Sequence, residues 1–270
     1  MSAQLRHNVH LAGQGTATMV FAHGFGCDQT MWRYLAPAYQ DRFRVLTYDL
    51  AGSGGSDLAA YDRDRHATLQ GHADDLLAII DEYADGPVLF VGHSVGATIG
   101  MLATIAAPER FMAQVMVSPS PCYINDGGYS GGFTRDDIDE LLETMETNFI
   151  AWSYNLAPAI MGAPNQPELS TELTASFCRN DPEIAHHFAG VTFHSDHRAD
   201  VPKSTVPALI LQCSDDLIAP RTVGQWLHQN LPASTLALVE NVGHCPHMSA
   251  PTASVNAIDA FLHQSLRYPS

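Results

Sequence analysis

The sequence has 270 residues, of which 46% are hydrophobic and 16% charged, so it can form a folded core and is not a disordered chain. The formal net charge of −16, with Lys203 as the single lysine, argues against nucleic acid and an anionic membrane as partners. The sequence lacks a membrane-length apolar run and a signal-peptide pattern, and its five cysteines are odd in number and scattered. We therefore expect a soluble cytoplasmic protein without a disulfide framework.

Short apolar runs alternate with helical patterns along most of the chain. The runs cover residues 18–23, 44–49, 87–93, 113–118, 206–212 and 234–240. They are nearly continuous in apolar residues, as strands buried on both faces of a parallel sheet are. The helical patterns cover residues 69–83, 96–107, 221–230 and 251–266. This alternation predicts an α/β fold with a doubly wound, mostly parallel sheet, in which ligands bind at the carboxyl ends of the strands.

The alternation breaks between residues 121 and 202, where helical patterns follow one another without a strand. Thr134 and Asp137 have the spacing of a capping box, and Asp181 followed by Pro182 is typical of a helix start. We predict four short helices inserted as a lid over the strand ends; a helical subdomain without an active-site role is the alternative. The predicted division is a core of residues 1–120 and 203–270 with a lid of residues 121–202.

A G-x-S-x-G pattern, GHSVG, occupies residues 92–96 between a predicted strand and a predicted helix. This is the context of a nucleophile elbow, because small residues flank a sharp turn that lifts the serine hydroxyl above the sheet. The pattern alone also occurs by chance, so the assignment depends on that context. We predict Ser94 as the nucleophile.

The segment HGFG at residues 23–26 follows the first strong strand. Its glycines let the chain turn so that a backbone N–H can point at a developing oxyanion. We predict the amides of Phe25 and Val95 as the oxyanion hole, with an ordinary turn at a strand end as the alternative.

A second glycine-rich segment, residues 48–56, follows the next strand. It lacks the full dinucleotide fingerprint, and no acidic residue follows at a suitable place. We interpret it as a structural loop in which Asp49 holds backbone amides.

A serine nucleophile needs a base and an acid that orients the base. Asp215 and Asp216 both follow the strand at 206–212, and Asp216 is favoured because Pro220 completes a D-x-x-x-P spacing that opens the next helix. His244 follows the last strand and gives the order Ser, Asp, His expected of this fold, with His247 as the rival base.

The segment HCPH at residues 244–247 also resembles a set of metal ligands. No second pair of ligands stands at zinc spacing elsewhere in the sequence, so we predict neither a metal nor a cofactor. The remaining histidines of the lid are expected at its surface or in its packing; these are His186, His187, His194 and His197.

Aromatic and aliphatic residues of the lid and of the strand ends could form a dry apolar cavity over Ser94. The alternative is that most of them only hold the lid together. The predicted lining consists of Phe25, Tyr123, Phe133, Leu141, Trp152, Leu156, Phe177 and Phe193.

Six segments together resemble RsbQ-like bacterial stress-response regulators, which are related to the plant strigolactone and karrikin receptors. The segments are residues 23–29 (HGFGCDQ), 92–97 (GHSVGA), 118–123 (SPSPCY), 131–133 (GGF), 195–198 (SDHR) and 243–248 (GHCPHM). The resemblance covers essentially the whole chain, including the lid. It implies an α/β-hydrolase fold with a four-helix lid, a small hydrophobic cavity, and Ser94, Asp216 and His244 as catalytic triad.

The resemblance also implies a small hydrophobic ligand and a partner phosphatase with a sensory domain. The chain differs from the plant receptors at lid positions such as Tyr154 and Asn155, so their ligand preference does not carry over. The leading hypothesis is hydrolysis of a small apolar ester, lactone or butenolide through an acyl-enzyme. The alternatives are a signalling protein with slow or incidental catalysis and, ranked lower, a carbon–carbon hydrolase or cofactor-free peroxidase.

Overall fold

The computed structural model describes residues 2–266. The strands are β1 (His10–Ala12), β2 (Thr18–Ala22), β3 (Arg44–Tyr48), β4 (Val88–His93), β5 (Phe111–Val117), β6 (Ala208–Asp215) and β7 (Ser234–Val242). The α-helices are α1 (Ala3–His7), α2 (Leu69–Tyr83), α3 (Val95–Ala106), α4 (Arg135–Thr147), α5 (Phe149–Met161), α6 (Pro167–Arg179), α7 (Pro182–Phe193), α8 (Arg221–Asn230), α9 (Pro246–Ser249) and α10 (Pro251–Leu266).

The strands form one sheet in the order β1-β3-β2-β4-β5-β6-β7. The pair β1–β3 is antiparallel and every other pair is parallel, which confirms the predicted mostly parallel sheet. The carboxyl ends of β4, β6 and β7 therefore meet at one edge. The loops that follow these strands carry Ser94, Asp216 and His244.

The inner strands β2, β4 and β5 and most of β6 are buried on both faces because helices cover both sides of the sheet. In β2, Met19 and Phe21 belong to one apolar cluster, whereas Val20 belongs to the other, together with residues of α2 and α3. Leu89 and Phe90 of β4 divide between the same two clusters. This alternation is the reason that the strands appear as continuous apolar runs in the sequence.

The sequence missed one strand, β1. Its three residues are all exposed, so it lacks the apolar run by which the other six were recognised. It pairs with β3, where His10 lies opposite Thr47. Edge strands of this kind leave little signal in a sequence because their side chains face water.

Four helices, α4 to α7, lie between β5 and β6, as the sequence predicts. Thr134 and Asp137 form the capping box that begins α4, and the Asp181 carboxylate accepts hydrogen bonds from the first amides of α7. A β-bridge between Cys122 and Asp196 ties the beginning of the insertion to its end. The division into core and lid at residues 121 and 202 stays a prediction.

The glycine-rich loop after β3 is structural, as interpreted from the sequence. Asp49 accepts hydrogen bonds from the amides of Gln29 and Gly55, both at 2.8 Å, and from the Asn8 side chain. The carboxylate therefore joins this loop to the segment that follows β2. Among residues 2–266, no helix is both long and apolar enough to cross a membrane.

Candidate active site

Ser94 stands in a strained turn between β4 and α3. Its φ of 54° and ψ of −124° lie in a region that residues other than glycine rarely adopt. A Cβ at Gly92 would lie 2.6 Å from the Gly96 carbonyl oxygen, and one at Gly96 would lie 2.5 Å from the His23 carbonyl oxygen. Both glycines are therefore required by close packing. The geometry is that of a nucleophile elbow, with the Ser94 amide donating to the Val117 carbonyl at 2.9 Å.

Asp216 and His244 form a buried, hydrogen-bonded pair. His244 Nδ1 lies 2.8 Å from Asp216 Oδ2 and 3.0 Å from Oδ1. The Asp216 carboxylate is fixed in turn, because Oδ1 accepts hydrogen bonds from the amides of Ile218 and Ala219. The neighbouring Asp215 is exposed, and its backbone carbonyl accepts a hydrogen bond from the Gly243 amide. Of the two candidate acids, the structure brings Asp216 to the histidine.

The second ring nitrogen of His244, Nε2, is available to accept a proton from a neighbouring group. Nε2 is buried and has no hydrogen-bond partner among residues 2–266. The backbone amide of His244 donates to the Ile160 carbonyl at 2.8 Å, which fixes the loop. His244 and Ser94 line the same cavity. An imidazole oriented by a carboxylate beside a serine can accept that serine's proton.

The segment at 23–26 passes close beside the elbow. His23 donates through Nδ1 to the Gly24 carbonyl and accepts through Nε2 from the Leu50 amide. Its ring therefore links this turn to the loop that follows β3. Gly26 has a φ of +71°, and a Cβ there would lie 2.4 Å from the Phe177 ring. Val95 is the first residue of α3, where amides have no partner within the helix and attract negative charge. The predicted oxyanion donors therefore belong to segments that meet at Ser94.

The cavity over Ser94 is narrow and mostly apolar. Only about 20 Å³ inside it is wide enough for the centre of a water molecule, so the cavity is a thin cleft. No Asp, Glu, Lys or Arg of the described chain lines it. The lining residues are Phe25, Cys27, His93, Ser94, Tyr123, Ile160, Leu173, Phe177, Thr192, Phe193, Ile218, His244 and Cys245.

Four predicted pocket residues line this cavity, and four do not. Phe25, Tyr123, Phe177 and Phe193 are in place, so the lid covers the strand ends through α6 and α7. The other four predicted residues are not among the residues that line this cavity, and their positions are described next. They are Phe133, Leu141, Trp152 and Leu156.

Leu141, Trp152 and Leu156 line an open groove between α4 and α5. Trp152 forms a second layer: its ring stacks on Phe177 at 5.7 Å and meets Phe25 edge-on at 6.2 Å. Phe133 pairs through its backbone with the segment after β5, where its amide donates to the Tyr123 carbonyl.

Sequence reasoning missed several lining residues. Ile160 and Leu173 lie on the apolar stripes of lid helices, but nothing in a stripe tells which of its members faces the site. Ile218 is carried in by the same loop as Asp216, and Cys27 follows the HGFG turn. Ile218 and Cys27 could have been predicted as lining residues from their closeness in sequence to predicted site residues.

Tyr123 adds a polar group to the apolar wall. Its side chain is buried, and burial raises the pKa of its phenol to about 12, although the Ser94 hydroxyl beside it acts in the opposite direction. The phenol is therefore neutral at ordinary pH and can donate a hydrogen bond inside the cavity.

The chain matches known proteins over nearly its whole length. Residues 19–258 match the model of the alpha/beta hydrolase family. A karrikin insensitive 2 receptor from Petunia hybrida is 38% identical over 96% of this chain and 97% of its own, and a strigolactone esterase from Arabidopsis thaliana is 34% identical over 90% and 91%. A solved hydrolase structure from Oleispira antarctica superposes with a TM-score of 0.94 at 39% identity, covering 97% of both chains.

These similarities confirm the predicted fold and the resemblance to the plant receptors. They also support a hydrolase activity, since relatives named as esterases or hydrolases match along most of the chain. The structure adds a serine at an elbow, a buried Asp–His pair and an apolar cavity between them and the lid. The chain belongs to the alpha/beta hydrolase family.

Proposed function

We propose that this chain is a serine hydrolase that cleaves small apolar esters or lactones through an acyl-enzyme on Ser94. The observation that carries the proposal is the joint placement of an elbow serine and the Asp216–His244 pair in one cavity. His244 Nε2 takes the Ser94 proton as the hydroxyl attacks the carbonyl carbon, and later returns a proton to the leaving oxygen. Asp216 keeps the histidine in the tautomer that has its proton on Nδ1.

The oxyanion of the tetrahedral intermediate would be held by the amides of Phe25 and Val95. Both are backbone donors, so they are fixed before the reaction and cost no rearrangement as charge develops. The phenol of Tyr123 lies close enough to the Ser94 hydroxyl to help orient a bound acyl group. A water molecule then attacks the acyl-enzyme, with His244 again as the base.

The narrow, uncharged lining of the cavity supports a small, uncharged substrate. The rings of Phe25, Phe177 and Phe193 pack against one another and narrow the cavity, so a bulky substrate is excluded. A charged carboxylate would enter without a cationic partner in the lining, at a high desolvation cost. A five-membered lactone ring such as a butenolide fits these restrictions, and relatives named for strigolactone and karrikin match the chain.

A signalling role is the second candidate, because several relatives are named as receptors. In this role, the ligand or its covalent product would hold the lid in a form that a partner recognises. A phosphatase with a sensory domain is the partner we propose for that case. A receptor would stall after about one turnover, whereas an enzyme would cycle many times.

The test is release of the fluorescent leaving group from a profluorescent butenolide, compared between wild type and Ser94→Ala. Release by the wild type alone would support both the nucleophile and the lactone class, and a single-turnover burst would favour signalling. Cleavage of simple acetate esters without release from the butenolide would keep the hydrolase and overturn the butenolide assignment. Equal release by both proteins would overturn the proposal.

A further inference from the structure

Two histidines and a cysteine meet directly behind the proposed catalytic histidine. His93 ends β4, while Cys245 and His247 lie at the beginning of α9. One ligand atom from each of the three lies within 4.8 Å of the other two, and all three side chains are buried. The sequence offers only the segment at 244–247, without a further ligand at metal spacing. The fold supplies that ligand from a distant strand.

Three of the four ring nitrogens in this cluster lack hydrogen-bond partners among the described residues. Both nitrogens of His247 and the Nδ1 of His93 are buried and unpartnered among residues 2–266. His93 Nε2 donates to the His244 carbonyl at 2.9 Å, so its lone pair is on Nδ1. One nitrogen of each ring therefore offers a buried lone pair that a metal ion can accept.

We propose that His93, Cys245 and His247 form a binding site for copper(I). A thiolate and two neutral imidazoles are the donors that this soft cation prefers. As the Cu–S bond forms, the thiol proton leaves to solvent and no electron is transferred. The resulting copper–thiolate unit is electrically neutral, so it can be buried without an uncompensated charge.

Zinc fits this group less well than copper(I). Structural zinc takes four protein ligands, and the cluster among the described residues has three. A divalent ion with one thiolate would also leave one positive charge in a buried environment, where an unpaired charge is costly. We therefore expect the site to discriminate in favour of the monovalent ion.

Copper at this site would inhibit hydrolysis, a consequence that rests on the proposed function. The His93 ring is 4.9 Å from the His244 ring, and His93 and Cys245 both line the substrate cavity. A bound ion would move the His93 ring, which holds the loop of His244 through the carbonyl hydrogen bond. It would also place an ion at the cavity wall beside Ser94.

The test is a titration of the metal-free protein with copper(I), kept reduced under argon, in competition with a chromophoric copper(I) chelator. We expect one tightly bound equivalent and sulfur and nitrogen scattering from copper in the X-ray absorption spectrum. Cys245→Ala should weaken binding by more than about 100-fold, since even the loss of a residue supporting a ligand costs about 10–100-fold. Cys245→Ser, which keeps the side-chain volume, should do the same if the alanine variant is unstable.

Two matched cysteine variants control the experiment. Cys27 lines the same cavity and Cys178 is a half-buried thiol of α6, and neither belongs to the cluster. Cys27→Ala and Cys178→Ala should therefore keep the tight equivalent. Failure of the wild type to compete with the chelator, tight binding that survives in Cys245→Ala, or preference for zinc would each overturn the proposal. The titration does not use hydrolysis, so its failure would leave the proposed function untouched.

Discussion

Asp216→Asn is the substitution that most sharply tests the proposed role of the Asp–His pair. The carboxylate accepts the His244 Nδ1 proton at 2.8 Å through Oδ2 and two backbone amides through Oδ1. An asparagine can keep the amide hydrogen bonds with its oxygen, so the loop at 216–220 should hold its shape. Its NH₂ group would then face His244 Nδ1 and force the imidazole proton onto Nε2. In that tautomer, Nε2 cannot accept the Ser94 proton.

The expected loss in kcat is about 10⁴-fold, the size seen when the same exchange is made in a serine-protease triad. At about 1.36 kcal/mol per factor of ten, this corresponds to about 5.4 kcal/mol of transition-state stabilisation. The melting temperature should change little by comparison, because the amide hydrogen bonds and the packing around Asp216 remain. A large kinetic loss with a small stability loss is therefore the expected signature.

Asp215→Asn is the matched control, since it makes the same chemical change one residue away. Asp215 is exposed and its backbone, not its carboxylate, contacts Gly243. We expect its kcat to stay within a few-fold of wild type in an acetate-ester assay, with calorimetry on all three proteins. A loss in Asp215→Asn as large as that in Asp216→Asn, or near-normal kcat in Asp216→Asn, would refute the reasoning.

Three further predictions concern the cavity wall and the buried histidines. Gly26→Ala would place a Cβ 2.4 Å from the Phe177 ring at a φ of +71°, so it should lower the free energy of unfolding by about 1–3 kcal/mol and reduce kcat. Urea unfolding and ester hydrolysis measure the two effects, and unchanged values would contradict this prediction. Phe177→Ala should lower the free energy of unfolding by about 3–5 kcal/mol, because Phe177 is buried. It should also raise kcat/KM for branched acyl esters relative to acetate, and an unchanged ratio would mean that Phe177 does not limit the size of the acyl group. Burial lowers the pKa of His72 to about 3, compared with 6.5 in the unfolded chain. The unfolded chain therefore binds a proton that the folded protein does not, and the free energy of unfolding falls as the pH drops from about 6.5 towards 3. The loss is up to about 1.4 kcal/mol per pH unit. His72→Leu should remove that part of the slope in urea melts at pH 7, 6 and 5, and an identical slope would show that another group carries it.

The sequence predicted most of the sheet because the inner strands β2, β4, β5 and β6 are buried on both faces over most of their length. Continuous apolar runs such as that of β4 are typical of strands that helices cover on both sides, and the elbow at 92–96 fixes the place of this strand before a helix. The three exposed residues of β1 carried no such signal. Its place in the sheet depends on pairing with β3, which a single sequence does not display.

The residues of the candidate site also differ in how far the sequence could predict them. Ser94, Asp216 and His244 could be predicted because each follows a strand, and strand ends of a parallel sheet meet at one edge. The cavity lining could not, because apolar stripes of lid helices serve both the cavity and the contacts between helices. Trp152 and Leu141 were predicted with equal reason, and both line the groove between α4 and α5, whereas Trp152 also packs behind the cavity wall against Phe177. Likewise, His93 joins Cys245 only through the folding of β4 against the loop after β7.

The most direct test of the central claim is intact mass spectrometry of the protein after treatment with a fluorophosphonate, which traps activated serines. We predict one adduct per chain, mapped by peptide analysis to Ser94, absent from Ser94→Ala and formed far more slowly by Asp216→Asn. An adduct of equal yield in Ser94→Ala, or one mapped to another residue, would contradict the assignment of Ser94 as the nucleophile.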